Sequence, residues 1–250
     1  MFNNKKMIAL FFFVGLVSTD ASYASGIEDL QLIQILKDDV NDFDGLGNPR
    51  SVKVISDNSK VFVSSGDDNA LAVFNLDENF KLTFSQVFKN TATNINGLEG
   101  ASGVTYFDLG NEIVVTGFYD GALTKFSRNN NSYRFNQFIS DGLSYERVFD
   151  SNVPIGELDS LGLLGAWNIV KANNEKQLFV ASYMSNAISI LDVMADKKVI
   201  FNRVIKDAKP LSNDLGKPIA IALSPLNNEL YVLGFDGHQL TIYDRDHSGD

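Results

Sequence analysis

The residues that could perform chemistry are few in this chain of 250 residues. It contains two histidines, His238 and His247, a single tryptophan, Trp167, and no cysteine. A thiol nucleophile is therefore excluded, and no Gly-x-Ser-x-Gly, His-Glu-x-x-His or phosphate-loop motif is present. A hydrolase would need a general base and donor groups for a developing oxyanion. His238, Arg50 and Asp120 could fill these roles only if the fold brings them together.

A polar ligand could instead be bound by an aromatic ring, a cation and nearby carboxylates. Trp167 begins an apolar segment, and Arg50 and Ser102 occupy roughly the matching places in two other segments. The candidate ligand-binding residues are Trp167, Arg50, Ser102, Asp68, Asp120, Tyr145 and Arg147. Two other interpretations stay open. Trp167 would also suit packing between neighbouring units, and His238 and the aspartates would also suit turns, where short polar side chains accept local hydrogen bonds.

A hard cation is the one cofactor that the sequence suggests. Asp244-x-Asp246-x-Ser248-Gly249 matches the opening of a calcium loop, with oxygen ligands at alternate positions and glycine sixth. No late acidic ligand follows it in the sequence, and the equivalent turns elsewhere are ordinary polar turns. We therefore expect no cofactor and no metal site, with calcium as the alternative.

The candidate residues lie in a sequence repeat that occurs four times in the chain. The clearest copy is Leu215–Asp246, in which three alternating apolar segments are separated by Ser-Pro-Leu-Asn-Asn and Asp-Gly, both strong turn signals. The other copies lie at Gly47–Leu76, Gly100–Arg128 and Gly165–Val193. Alternation of period two predicts β-strands with one buried face, so each unit is a three-stranded meander.

A fourth alternating segment flanks each meander. These segments are Asp29–Lys37, Lys81–Lys89, Ser132–Ile139 and Lys198–Lys206. Four-stranded repeats of about 50 residues are typical of propeller blades. The predicted fold is therefore all-β: a β-propeller of four-stranded antiparallel blades, either four blades in this chain or a fragment of a larger propeller. In the first case Asp29–Lys37 would complete the last blade and close the ring. We favour the second, because the sequence reaches Asp250 inside a turn.

The connections between blades and the turns between second and third strands share one face of a propeller, here called the loop face. Most candidate residues fall on it. The longest insertion, Ser140–Gly162, also lies there and carries Tyr145 and Arg147. Loops longer than about 15 residues in a compact domain are often functional. We therefore expect the ligand site on the loop face, beside Trp167.

The N-terminus has the pattern of a secretory signal. Lys5 and Lys6 precede a short apolar run, and small residues precede a cleavage site after Ala24. The predicted organisation is a signal peptide over 1–24 and a propeller domain over 25–250, in a secreted or periplasmic protein without a membrane span after cleavage. The chain has a formal net charge of −10 and no basic cluster, which excludes nucleic acid as a partner.

Several motifs resemble the repeat of lactonase-type β-propellers, including the YVTN-like secreted ones. They are Gly97–Ala101, Asp120–Leu123 and Leu82–Gln86, and similar sequences occur at Asn69–Leu71 and Gly162–Ala166. The resemblance implies a propeller fold and, as one activity, hydrolysis or isomerisation of a sugar lactone or related cyclic ester. The matching residues are turn glycines and core apolar residues, so no catalytic residue is transferred.

Two main functions follow from these observations. The first is a secreted or periplasmic module that binds a protein or a small polar ligand. The second, implied by the resemblance, is a lactonase-like hydrolase or isomerase. The poverty of catalytic motifs favours the first. A structural repeat within a larger surface protein is a third, weaker interpretation.

Overall fold

The computed structural model describes residues 31–40, 43–55, 57, 59–90, 95–150, 158–206, 215–226 and 228–245. The chain divides into two compact units, Met1–Leu32 and Ile33–Asp250, and the description below concerns the second. The predicted signal peptide and the residues of the calcium-like motif after Arg245 lie outside the described residues. No helix in the described ranges is long and apolar enough to cross a membrane.

The chain folds as a β-propeller with four antiparallel blades, as the repeats predict. Blade 1 contains β1 (Pro49–Val54), β2 (Lys60–Ser65), β3 (Ala70–Leu76) and β4 (Leu82–Lys89). Blade 2 contains β5 (Ala101–Phe107), β6 (Glu112–Gly117), β7 (Ala122–Asn129) and β8 (Ser132–Ile139). Blade 3 contains β9 (Ala166–Lys171), β10 (Gln177–Ser182), β11 (Ala187–Val193) and β12 (Val199–Lys206). Blade 4 contains β13 (Pro218–Leu223), β14 (Glu229–Gly234) and β15 (Gln239–Asp244).

Each blade is a meander in which consecutive strands pair, and the first strand of one blade contacts the first strand of the next: β1 with β5, β5 with β9, and β9 with β13. Two short helical segments interrupt the pattern. A 3₁₀ turn covers Asp108–Gly110, and a helix, α1 (Tyr145–Asp150), lies in the long insertion between blades 2 and 3. The fold class was predictable because apolar segments separated by turn residues recur in the same order in each blade.

The core lies between the blades. The second strand of each inner blade is buried along its length, as in EIVVTG of β6 and QLFVAS of β10. Short continuous apolar runs of this kind belong to strands covered on both faces. One apolar cluster joins blades 1 and 2, another blades 2 and 3, and a third blades 3 and 4. Each buried leucine or valine in them contributes about 1.5–3 kcal/mol.

The outer strands are joined from blade to blade by glutamine side chains. Gln86 on β4 accepts a hydrogen bond from the backbone N–H of Tyr133 at 2.6 Å and donates one to its carbonyl oxygen at 3.3 Å. Gln137 on β8 forms the same pair of bonds with Val199, at 3.0 and 2.6 Å. We call this arrangement a glutamine clamp. It fixes the beginning of one outer strand, at its first or second residue, to the outer strand of the preceding blade.

One predicted strand differs from the structure. Residues 31–37, the described part of Asp29–Lys37, are not in a strand, and blade 4 has three strands among the described residues. Gln34 nevertheless forms a third glutamine clamp, with the N–H and carbonyl oxygen of Leu82 at 2.7 and 3.0 Å. The segment therefore lies beside β4 of blade 1 and does not complete blade 4. Among the described residues, the side chain of Gln34 and not a backbone ladder joins this segment to β4.

Candidate functional site

The same backbone motif begins every blade on the loop face. The second residue of each first strand stands at the rim of the propeller, next to its axis, and we call these four the rim residues: Arg50, Ser102, Trp167 and Ile219. The preceding loop enters each strand through a residue of positive φ, such as Gly100 at 65° and Gly165 at 73°. Glycine adopts this conformation without steric strain. The repeated turn brings side chains from different blades to the same level.

Three of the predicted ligand-binding residues meet at this rim. Arg50 Nη1 donates to the Ser102 hydroxyl at 3.0 Å and to the carbonyl oxygen of Gly100 at 3.1 Å. Its guanidinium carbon lies 5.5 Å from the centre of the Trp167 ring, within the range of a cation–π interaction. The Ser102 hydroxyl in turn donates to the carbonyl oxygen of Gly100 at 2.8 Å. The fold thus joins an arginine of blade 1, a serine of blade 2 and a tryptophan of blade 3.

Gly66, which the sequence analysis did not select, makes room for this arrangement. A Cβ atom there would lie 2.2 Å from the Cζ atom of Arg50. Gly66 donates its N–H to the loop carbonyl oxygen of Asn48, as Phe118, Tyr183 and Phe235 do to their own loops. An aromatic residue therefore occupies this position in the other three blades. An alignment of the four repeats would therefore show Gly66 as a glycine at a position where the other three blades have an aromatic residue.

The aromatic residues of blades 2 and 3 form a continuous surface. The rings of Trp167 and Phe118 lie edge to face at 5.4 Å, those of Phe118 and Tyr119 at 5.0 Å, and those of Tyr119 and Tyr145 at 5.4 Å. We call these four residues the aromatic ridge. The N–H of Tyr145, where α1 begins, donates to the carbonyl oxygen of Tyr119 at 2.7 Å. Trp167 remains 39% exposed, so the ridge offers an apolar face beside the Arg50 cation.

The other predicted binding residues have structural partners. Asp68 Oδ2 accepts the N–H of Gly47 at 2.5 Å, and Asp120 Oδ2 accepts the N–H of Glu99 at 2.8 Å. Each carboxylate thus holds the loop that enters its own blade. Arg147, on α1, donates to the carbonyl oxygen of Gly142 at 2.7 Å. These contacts favour the interpretation of Asp68 and Asp120 as turn residues.

His238 takes the same turn position as Asn69 and Asn186, with φ of 50° against 51° and 48°. The two asparagine side chains accept an N–H from the loop of the next blade, Asn69 from Gly100 and Asn186 from Lys217, both at 2.7 Å. His238 is exposed on blade 4. No hydrogen bond or ion pair of the described chain joins His238 to Arg50 or Asp120. Their assembly into one catalytic site therefore stays a prediction.

Glu99 is joined to the aromatic ridge, since its carbonyl oxygen accepts the N–H of Tyr119 at 3.0 Å, and its surroundings change the pKa of its carboxyl group. Burial raises its pKa above the usual 4.5, and the charges of Asp120 and Glu146 raise it further. An acid whose pKa is raised by folding favours the folded state at low pH. This contribution is complete below pH 4.5 and is lost as the pH rises through the pKa of the folded protein.

The variant Glu99→Gln should therefore be more stable than the native protein at pH 7 and equally stable at pH 4. The change removes the charge and keeps the N–H that Asp120 binds. Urea unfolding followed by circular dichroism at both pH values measures the difference. Glu78→Gln, an exposed turn residue of blade 1, serves as the control and should shift the midpoint at neither pH. A destabilised Glu99→Gln at pH 7 would contradict the assignment.

The opposite face carries a cavity that the sequence did not indicate. Its volume is about 620 Å³, within the range of ligand sites, and it lies at the turns of blade 3 beside the end of β5. Two of its four charged lining residues are in ion pairs, Glu175 with Lys171 at 2.5 Å and Lys197 with Asp108 at 3.0 Å. Asp192 accepts hydrogen bonds from the side-chain amides of Asn202 and Gln177, and Lys176 is exposed. Phe107 is the one aromatic residue that lines it, whereas the loop face has four adjacent aromatic rings. The loop face is the better candidate.

One acidic group on the loop face has the spacing of metal ligands: Asp38, Asp39 and Asp44. Asp38 Oδ1 accepts the N–H groups of Gly45 and Leu46 at 3.0 and 2.7 Å, and these bonds hold the loop that enters blade 1. Asp44 forms an ion pair with Lys89. Backbone donors and a lysine thus account for Asp38 and Asp44.

Comparison with solved structures identifies the class of fold. Neither a protein-family model nor a curated protein sequence matches the chain. A protein from Lactobacillus plantarum superimposes with a TM-score of 0.61 at 16% identity, covering 82% of this chain and 56% of that one. A Bacteroides fragilis protein whose proposed activity is that of a 6-phosphogluconolactonase superimposes with a TM-score of 0.59 at 13% identity, covering 80% and 51%. Hydrazine synthase of Kuenenia stuttgartiensis gives 0.55 at 14%, covering 80% and 46%.

The chain therefore has the fold of lactonase-type β-propellers, as the sequence resemblance predicts. It spans about half the length of these structures. Because hydrazine synthase has a similar fold, the fold alone does not select an activity.

Proposed function

We propose that this protein is a binding module whose loop face takes a small polar ligand carrying an anionic group and a flat apolar side. The observation that carries the proposal is the guanidinium of Arg50 held over the ring of Trp167. The hydrogen bonds of Arg50 to described residues use Nη1, which leaves Nη2 and Nε as donors. Two such donors suit a carboxylate or phosphate group, and a sugar ring could stack on the aromatic ridge. The ligand class is therefore a sugar acid.

The remainder of the loop face supports this specificity. The chain is acidic overall, so a cation at the rim gives local selectivity for an anion against a repulsive background. The poverty of catalytic groups near Arg50 favours binding over turnover. Three blades contribute to the site, so a bound ligand would bridge them.

Titration of the protein with glucuronate, 6-phosphogluconate and neutral glucose tests the proposal. Trp167 is the single tryptophan, so its fluorescence reports on this site alone. We expect the two acids to change the fluorescence and glucose to leave it unchanged. Arg50→Ala should weaken binding of the acids about 10- to 100-fold, because a hydrogen bond to a charged group contributes roughly 1.5–3 kcal/mol.

Arg134→Ala provides a matched control, since Arg134 is an exposed arginine on the outer strand β8. It should bind like the native protein. Equal affinity of Arg50→Ala and Arg134→Ala, or no binding of any acid on the panel, would contradict the proposal.

A second candidate function is hydrolysis of a sugar lactone or related cyclic ester. It is supported by the similarity of fold to a structure with proposed 6-phosphogluconolactonase activity and by the cation at the rim. Acid release from a panel of sugar lactones tests it, and the activity should disappear in His238→Ala and in Arg50→Ala. If the protein binds sugar acids but releases no acid from lactones above the spontaneous rate, the hydrolase proposal is contradicted and only the binding-module proposal remains.

We also propose that the protein is secreted or periplasmic, on the strength of the signal pattern over 1–24. The intact mass of the exported protein tests this location. Loss of the first 24 residues is the expected result, and an unprocessed N-terminus would contradict it.

A further inference from the structure

The loop face carries a second cation over an aromatic ring, at the border of blades 3 and 4. Lys217 Nζ lies 5.6 Å from the centre of the Tyr183 ring, within the range of a cation–π interaction. The ring of Phe235 meets that of Tyr183 edge to face at 6.3 Å, and Phe235 is 59% exposed. We call these three residues the lysine group. The loop face therefore presents a cation beside aromatic rings twice, at Arg50 and at Lys217.

The backbone of Lys217 is strained at a position where the other blades avoid strain. Its φ is 60°, and the equivalent residues that enter blades 1, 2 and 3 are Asn48 at 53°, Gly100 at 65° and Gly165 at 73°. Glycine adopts this conformation freely and asparagine does so more readily than most residues, whereas the Cβ atom of a lysine crowds the following carbonyl oxygen. Strained residues of this kind are concentrated at ligand sites. The strain at Lys217 thus points to a role for its side chain.

The ammonium group of Lys217 has hydrogen-bonding capacity for an anion. It carries three N–H donors, and in the part of the chain that the structure describes it donates to the carbonyl oxygen of Met184 at 3.3 Å. The Asn186 side chain accepts the backbone N–H of Lys217 at 2.7 Å, which fixes the loop. The exposed carboxylate of Asp236 accepts the Tyr183 hydroxyl at 3.3 Å and has further lone pairs for a hydroxyl group of a sugar. The ring therefore has a cationic donor and an anionic acceptor beside it.

A shared residue brings the lysine group close to the aromatic ridge. Gly165 donates its N–H to the carbonyl oxygen of Phe118 at 3.0 Å and accepts the N–H of Tyr183 at 2.9 Å. Since one residue spans about 3.5 Å, these atoms of Phe118 and Tyr183 lie within about 10 Å of each other. A Cβ atom on Gly165 would lie 2.5 Å from the backbone nitrogen of Met184, so the turn after β10 rests directly on the loop that leads to Trp167. A ligand of a few sugar units is long enough to reach both groups.

We propose that the loop face binds an acidic oligosaccharide, with one sugar-acid unit at Arg50 and Trp167 and another at Lys217 and Tyr183. This inference rests on the proposed function for the first unit and adds the length of the ligand and its second charge. Each cation binds one carboxylate, and the rings stack on the apolar faces of the sugars. A chain of sugar acids carries one carboxylate per unit, so it matches a repeated cation and ring better than a single sugar acid does.

Calorimetric titration with galacturonate and its linear oligomers of two to four units tests the proposal. We expect one oligomer to bind per chain, and the affinity to rise at least about tenfold at the length that reaches the lysine group, because the second unit then binds at a high effective concentration. Lys217→Asn should lose this gain and bind the oligomers about as weakly as galacturonate. Asparagine suits the backbone there, as Asn48 does in blade 1, so the variant should fold.

Lys197→Asn is the matched control. Lys197 also has a positive φ, 69°, but it lies on the opposite face and pairs with Asp108. The same substitution in the same backbone conformation should therefore keep the native gain in affinity with length. Equal losses in Lys197→Asn and Lys217→Asn would overturn the assignment of the second unit to Lys217.

An oligomer of matched length with one galacturonate and otherwise neutral galactose units separates charge from stacking. It should bind less tightly than the fully acidic oligomer by about 10- to 100-fold, the contribution expected of a hydrogen bond to a charged group. Equal affinity of the two oligomers would overturn the second charge. Oligomers that bind no more tightly than galacturonate would overturn this inference and leave the proposed function standing. The absence of a Trp167 fluorescence response to every acid would instead contradict the proposed function, and this inference with it.

Discussion

Replacing Glu112 by alanine should lower the free energy of unfolding by about 3–5 kcal/mol. Glu112 lies at the start of β6, and its Oε2 atom accepts hydrogen bonds from Lys125 Nζ at 2.6 Å and from Ser127 Oγ at 2.7 Å. Lys125 is buried on β7. Removing one partner of a buried ion pair leaves the other charge uncompensated, which costs about 3–5 kcal/mol. Urea unfolding followed by circular dichroism measures the loss.

Two further variants separate this explanation from a general loss of packing. Glu112→Leu combined with Lys125→Met removes both charges and should recover most of the lost stability, since apolar replacement of a buried pair is often neutral or stabilising. Lys197→Ala breaks the more exposed pair with Asp108 and should cost less than about 1 kcal/mol. A loss in Glu112→Ala no larger than that in Lys197→Ala would contradict the prediction. It would mean that Lys125 reaches water through the cavity of about 320 Å³ beside it.

Replacing Gly66 by alanine should disconnect Arg50 from Trp167 with little loss of stability. The added Cβ would lie 2.2 Å from the Cζ and Nε atoms of Arg50, so the guanidinium has to leave its position. Gly66 is not among the residues with positive φ, so alanine adopts its backbone conformation without strain. We expect a change in Trp167 fluorescence and at least about a tenfold loss of affinity for a sugar acid, similar to that in Arg50→Ala.

The combination of the two changes tests whether Gly66 acts through Arg50. If it does, Arg50→Ala/Gly66→Ala should bind sugar acids no more weakly than Arg50→Ala alone, because residues in contact are not additive. Additive losses would show that Gly66 contributes independently of Arg50. Unchanged fluorescence in Gly66→Ala would show that Arg50 finds another route to the Trp167 ring.

The strands could be predicted from the sequence because their signals are local. The sequence predicts a three-stranded meander within Leu215–Asp246, and the observed strands Pro218–Leu223, Glu229–Gly234 and Gln239–Asp244 all lie inside it. Ser132–Ile139 matches β8 at both ends. Alternation of apolar residues decides which side of a strand is buried, and turn residues decide where it ends. Neither depends on the rest of the fold.

The alignment of repeats also predicted that Arg50, Ser102 and Trp167 occupy matching places, and the rim confirms this. Two other features could not be predicted in the same way. Gly66 acts by the space that it leaves, and only comparison with the aromatic residues at the same position of the other blades would have indicated it. The strand predicted over Asp29–Lys37 failed because strand formation depends on pairing with a neighbouring strand, which is a property of the assembled blades.

The rim separates the residues that could recognise a ligand from those that build the scaffold. The backbone turn and the asparagine bonds between blades are repeated, while the rim residues Arg50, Ser102, Trp167 and Ile219 differ completely in chemistry. The repeated backbone bonds hold each loop whichever side chain stands at the rim, although Arg50 and Ser102 also donate to the loop carbonyl oxygen of Gly100. The side chains at the rim vary from blade to blade while the backbone motif that carries them stays the same. A change of specificity during evolution, or in the laboratory, would need one substitution per blade rather than a new fold.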